Sequence, residues 1–313
     1  MPPVSPKLKL IKTLWGIDEP VSTQLFQSIK DEGYHGVEII RLAWMFDEAR
    51  DALIQSANEA GLALVCQIHT TGGFLRDNEY IYCDSYDVSL HKTNFQSQLQ
   101  ECVHLLKQIT AGGFVNVHAG VDAWSLEEAT DFLKAALKEI DQVEFPVMFE
   151  THRQRLFCNP FQARDILLQN DPGLLSLKLN ADLSHWYCAS ERVFDARQGR
   201  DKTWWPELLI NVVAPRCHYI HARFGWSQGP QMADPSAPEC QVERNLQLGV
   251  WKILFKDIMS RDNGNADCFV SPEFGPPPYL PVLPNTQEPV ASLPAAVAYT
   301  KVQIETIFAE LLE

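Results

Sequence analysis

The sequence has no C-x-x-C pair and no clustered cysteine framework; its eight cysteines stand apart at 66, 83, 102, 158, 188, 217, 240 and 268. That spacing excludes a disulfide-stapled scaffold and a Cys-rich zinc site, and predicts reduced thiols in a cytosolic setting. No run approaches the roughly 18 apolar residues of a membrane-spanning helix. The opening MPPVSPKLKLIK has basic residues but no apolar stretch or small-residue cleavage site behind them. The expectation is a soluble, unexported, cytoplasmic chain with no membrane partner. Basic residues are scarce: 26 Lys plus Arg face 40 Asp plus Glu, a net charge of −14. Such a surface repels a phosphate backbone, so no nucleic acid is expected as a partner. A Gly-rich phosphate loop of the G-x-G or Walker kind is also missing.

With 313 residues, 46% of them hydrophobic, the chain can bury a full core. Short β-branched or apolar runs alternate with segments of 3.6-residue periodicity. The runs LKLIKTLWG, GVEII, LALVCQIH, FVNVH, PVMFE, LSLKLN, HYIHA and DCFVSPE read as strands. Between them STQLFQSIKDEG, FDEARDALIQSANEAG, SLEEATDFLKAALKEID, FQARDILLQN, NLQLGVWKILFKDIMS and AAVAYTKVQIETIFAELL read as helices. Strand and helix alternate without a composition break. The pattern predicts an α/β fold, a single (β/α)8 TIM barrel spanning residues 1–313. In such a barrel the site forms where strands end, so polar residues at C-terminal strand ends become the candidates.

Those ends are rich in chemistry. They carry Trp15, Glu38 and Arg41, His69, His118, Glu150 with His152 and Arg153, Asp182 with His185, His221 with Arg223, and Glu273. Six of the nine histidines lie in or just after a strand; of these His218, three residues before His221, points away and reads as structural. The last four strands offer one ligand-type side chain each: Glu150, Asp182, His221 and Glu273. Three carboxylates and one imidazole suit one divalent ion that accepts a mainly hard donor set, Mn²⁺, Mg²⁺ or Co²⁺, with Zn²⁺ as a further candidate. Without a cation between them, converging carboxylates would repel strongly.

The segments FETHR, NADLSHW, HYIHARFG and SPEFGP, in this order on successive strands, resemble those of the xylose isomerase-like TIM-barrel superfamily. That superfamily includes ketose 3-epimerases, hydroxypyruvate isomerase, the sugar phosphate isomerase/epimerase group and, more distantly, endonuclease IV. The resemblance implies a metal held by Glu150, Asp182, His221 and Glu273. It gives Glu150 and Glu273 the roles of base and acid on opposite sides of the substrate, and makes His185 of the D-x-x-H step a contact to a substrate hydroxyl or carbonyl. The implied chemistry is proton abstraction next to a metal-held carbonyl, through a cis-enediolate. Arg223 follows His221 more closely than the epimerases' substrate arginine follows its histidine, and stands as a candidate contact for a carboxylate, phosphate or oxyanion. His69 and His118 fall near extra metal ligands of endonuclease IV, but the Asp-x-His pair that enzyme needs is here Asp234-Pro235-Ser236. They read as pocket lining.

Five of the eight tryptophans, Trp15, Trp44, Trp124, Trp186 and Trp226, lie at or beyond strand ends, where an indole can pack on the C–H face of a sugar. Trp15 and Trp186 join the candidate substrate contacts. Residues 272–294 hold eight of the twenty prolines and read as a stiff wall over the site, alongside the loop GWSQGPQMADPSAPEC. The expected function is a metal-dependent isomerase or epimerase of a small carbohydrate-like substrate. Two alternatives are a lyase or dehydratase on an oxidised sugar, and a non-catalytic sugar-binding barrel. Many such barrels are dimers or tetramers, so a homo-oligomer is compatible with the resemblance.

Overall fold

The computed structural model of the protein describes residues 6–44, 46–72, 74–76, 79–81, 85–169 and 171–313. Cys83 and the first five residues, which entered the expectations on thiols and export, lie outside these. In chain order the elements are β1 (Leu8–Thr13), α1 (Thr23–Asp31), β2 (Gly36–Ile40), α2 (Asp47–Ala60), β3 (Ala63–His69), β4 (Phe74–Arg76), β5 (Glu79–Ile81), α3 (Val88–Leu106), β6 (Gly113–His118), α4 (Leu126–Ile140) and β7 (Val147–Glu150). There follow α5 (Pro160–Leu167), β8 (Leu179–Asn180), α6 (Ser184–Ala189), α7 (Asp201–Leu208), β9 (Cys217–His221), α8 (Gln241–Ser260), β10 (Cys268–Ser271) and α9 (Leu293–Glu310). Eight strands close a barrel in the order β1-β10-β9-β8-β7-β6-β3-β2, while β4 and β5 form a separate antiparallel pair. The expected (β/α)8 fold is therefore present. Among the described residues no helix is long and apolar enough to cross a membrane.

By contacts the chain divides into two compact units, Ile11–Lys178 and Met1–Leu10 with Leu179–Glu313. In the first, β3 pairs in parallel with β2 and β6, and Leu64, Val65, Cys66 and Ile68 are fully buried. Gly113 opens β6 because the backbone there runs against β3: a Cβ at this position would sit 2.0 Å from the Leu64 carbonyl oxygen. Helix α4 starts on a capping box in which Ser125 and Glu128 satisfy each other's backbone N–H groups. Helix α3 escaped the periodicity reading; its buried face mixes His91 and Gln98 with Phe95, Leu99 and Cys102, and so does not look apolar.

In the second unit β9 pairs in parallel with β8 and β10. The strand expected over LSLKLN shrinks to Leu179–Asn180: a 3₁₀ turn occupies Pro172–Leu174, and Leu175 is 70% exposed. Ser292 caps α9, with Pro294 in its first turn where no N–H is needed. The seven described cysteines are all free thiols, five of them buried.

Candidate active site

In the Ile11–Lys178 unit the barrel strands bring together two carboxylates, a histidine group and a bridging amide. Glu150, the last residue of β7, is buried, and its Oε2 lies 2.9 Å from His118 Nε2. Asn116 sits two residues before His118 on β6, so both side chains leave the same face of the strand. Its Nδ2 donates to Glu150 Oε2 at 2.6 Å and to Glu38 Oε1, from β2, at 2.9 Å. One neutral amide thus supplies hydrogen bonds to two buried carboxylates. The His69 and His118 rings stack with centroids 4.3 Å apart, as their paired positions on β3 and β6 dictate. His152 lies against His118 at 4.8 Å, and ligand-type atoms of His118, Glu150 and His152 fall within 4.8 Å of one another. Gln98 of α3 braces His69 by accepting from its N–H at 3.2 Å and donating to its carbonyl at 2.8 Å. Burial, then the neighbouring His118 and Arg155, hold the His69 imidazole well below its ordinary pKa.

The other unit gathers Asp182, His185, His221, Arg223 and Glu273, all at most 5% exposed. Asp182 follows β8, and its Oδ1 accepts from the Ser184 N–H at 3.2 Å and from the Ser184 hydroxyl. His221 ends β9 with Nδ1 3.2 Å from Glu273 Oε2. The Arg223 guanidinium reaches both carboxylates: Nη2 donates to Asp182 Oδ2, and Nη1 stands 3.3 Å from Glu273 Oε2. Nη2 also lies 2.7 Å from His185 Nε2. A guanidinium only donates, so in this contact His185 Nε2 is the acceptor. The Tyr279 ring, from the loop after β10, covers the Arg223 guanidinium at 5.1 Å.

Other expected contacts sit differently. Trp186 is fully buried in α6, its indole edge-on to Trp205 at 6.5 Å. Trp15 is partly exposed just beyond β1. Arg41 forms a two-pronged ion pair with Glu101 at 2.8 and 2.7 Å. Sequence reasoning missed Asn116, Ser184 and Tyr279. Only Asn116 left a signal, a polar residue inside an otherwise apolar strand two places before a strand-end histidine.

Asp182, His221 and Glu273 fit a divalent cation by their chemistry: two carboxylate oxygens and an imidazole nitrogen, buried, with both carboxylates already engaged by a positive group. No family model matches the chain, and no curated protein sequence does either. Solved structures do. The chain is similar to a zinc-bound IOLI protein (TM-score 0.58, 13% identity, 97% of this chain and 99% of that one) and to a D-tagatose 3-epimerase-like protein (0.57, 13%, 97% and 100%). It is also similar to a xylose isomerase-like TIM barrel protein from Mycobacterium smegmatis in complex with magnesium (0.55, 12%, 96% and 97%). The fold is that of the xylose isomerase-like TIM barrels.

Proposed function

We propose that the protein is a divalent-metal-dependent isomerase or epimerase acting on a sugar or a related hydroxy-carbonyl compound. The observation that carries this reading is the buried set Asp182, His221 and Glu273, ligand-type side chains from the ends of three strands adjacent in the barrel order. Glu150, ending the next strand in that order, is the proposed fourth ligand. The ion would be Mn²⁺, Mg²⁺, Co²⁺ or Zn²⁺; likeness to magnesium- and zinc-bound proteins of this fold supports a divalent ion without choosing among these.

When bound, such an ion polarises a carbonyl and acidifies the neighbouring C–H. The chain's own residues then do the proton transfers. Glu150 and Glu273 are the proposed base and acid, one removing a proton from carbon and the other returning one. Asn116 donates to the Glu150 carboxylate, beside which His118 Nε2 lies at 2.9 Å, and His221 Nδ1 stands 3.2 Å from Glu273. His185, His69, His118 and Trp15 are the proposed substrate-facing residues. The loop carrying Tyr279 shields this chemistry from water.

The test is deuterium exchange in D₂O, read by NMR, on a panel of ketoses, keto-sugars and their phosphates with metal-loaded protein. One member should lose the proton next to its carbonyl, and Glu150→Gln and Glu273→Gln should each abolish that loss. Exchange retained in both variants would defeat the acid/base assignment, and no exchange with any member by metal-loaded protein would defeat the reading itself. A product lacking a β-substituent by mass spectrometry would assign a lyase instead.

A further inference from the structure

Arg223 spends most of its hydrogen-bonding capacity inside the protein. Its Nε donates to Ser184 Oγ and its Nη2 to Asp182 Oδ2 and His185 Nε2, while Nη1 stands 3.3 Å from Glu273 Oε2 as an ion pair. A guanidinium so engaged has no pair of parallel N–H groups left for the bidentate grip on a substrate carboxylate or phosphate. In this arrangement it is the counter-ion of Asp182 and Glu273, and its own side chain is 1% exposed. The oxygens it uses are decisive. Glu273 Oε2 faces both Arg223 Nη1 at 3.3 Å and His221 Nδ1 at 3.2 Å, so an ion shared by Asp182, His221 and Glu273 would draw on the atoms that hold the guanidinium. Two cations on the same oxygens, buried from water, repel each other with little screening.

We propose that Arg223 is the resident cation of this site and that a divalent ion binds by exchange with it, the guanidinium leaving Asp182 and Glu273 as the ion arrives. A monovalent ion brings no more charge than the guanidinium it would replace and is excluded, so Arg223 sets the charge the site accepts. This rests on the metal reading above and extends it to a residue that is not itself a ligand.

The test is calorimetric titration of Mn²⁺ into the full-length, chelator-treated protein, as wild type, Arg223→Gln and Arg223→Lys. Removing the competing charge should tighten Mn²⁺ binding at least tenfold in Arg223→Gln, with Arg223→Lys between that variant and wild type. In chelator, Arg223→Gln should melt below wild type, and Mn²⁺ should raise its melting temperature by more than it raises wild type. Equal or weaker Mn²⁺ binding in Arg223→Gln overturns the exchange while leaving the metal reading in place. Absence of Mn²⁺, Mg²⁺ or Zn²⁺ binding in wild type and variants overturns both. Should Arg223→Gln not fold, wild type labelled with ¹⁵N-arginine answers the same question. Saturating Mg²⁺ should shift the Arg223 Nε–H resonance, identified by its loss in Arg223→Lys, and speed its exchange with solvent; an unchanged resonance at saturation overturns the proposal.

Discussion

Gln231 and Gly275 grip each other through a reciprocal pair of hydrogen bonds. The Gln231 amide donates to the Gly275 carbonyl at 3.0 Å and accepts from its N–H at 2.7 Å. Both residues are buried, and the link ties the loop after β9 to the loop after β10 two residues beyond Glu273. The Pro-rich segment is thus stiffened twice, by fixed φ and by a neighbour's side chain standing in for a backbone partner. Gln231→Ala leaves a backbone N–H and C=O buried without that partner. Urea unfolding should show a loss of about 1–3 kcal/mol; a variant within about 0.3 kcal/mol of wild type would mean that the loops hold their places by packing alone.

Stability should fall on the mildly acidic side. Burial depresses the His69 imidazole well below its ordinary value and lowers that of His91, whose Nδ1 pairs with Thr70 at 2.8 Å. The folded protein keeps these rings neutral, whereas the unfolded chain protonates them below about pH 6.5. The unfolded state therefore binds more protons as pH drops. The stability is fully present above the unfolded pKa and is lost progressively toward the depressed folded one. Each group contributes a slope of up to about 1.4 kcal/mol per pH unit. His69→Gln should flatten the stability profile between about pH 6 and pH 5 by up to that amount. Parallel profiles for wild type and variant would count against a neutral His69.

Much of this was legible in the sequence, because a barrel repeats one rule: apolar strand, polar strand end, amphipathic helix. The rule located Glu150, Asp182, His221 and Glu273 at strand termini. It failed where side chains answer to partners far along the chain. Gln98 lies on α3, a helix the periodicity did not reveal, yet it makes two hydrogen bonds to the His69 backbone, and Trp186, an expected sugar contact, packs edge-on to Trp205. Arg223 is the sharpest instance. Its position two residues after His221 suggested a ligand-facing arginine, and only the fold brings it onto Asp182, 41 residues earlier.

The Asn116 amide makes a second energetic prediction. It is a neutral donor between Glu38 and Glu150, both 2% exposed. Asn116→Leu removes hydrogen bonds to two buried carboxylates at once, each worth about 1.5–3 kcal/mol. Asn116→Asp adds a third carboxylate beside them and should be worse still, with a loss that shrinks as pH is lowered and one of the three takes up a proton. Chemical denaturation at pH 5 and pH 8 tests both variants. If Asn116→Asp is as stable as Asn116→Leu at pH 8, the three side chains do not share one low-dielectric pocket.

Metal removal should be felt as stability, because an ion that binds only the folded chain stabilises it by mass action. At a hundredfold excess over its Kd the gain is about 2.7 kcal/mol. The wild-type protein should therefore melt several degrees lower in chelator than in excess Mn²⁺ or Mg²⁺. Glu273→Gln removes one charge from the proposed ligand set and a partner of both His221 and Arg223, so it should abolish most of that metal-linked rise. The informative quantity is the difference between the two melts rather than either alone. Glu273→Gln also disturbs the metal-free protein by leaving the buried guanidinium with one carboxylate instead of two. A metal-linked rise of equal size in wild type and Glu273→Gln would place the ion elsewhere in the protein and remove the support for this strand-end site.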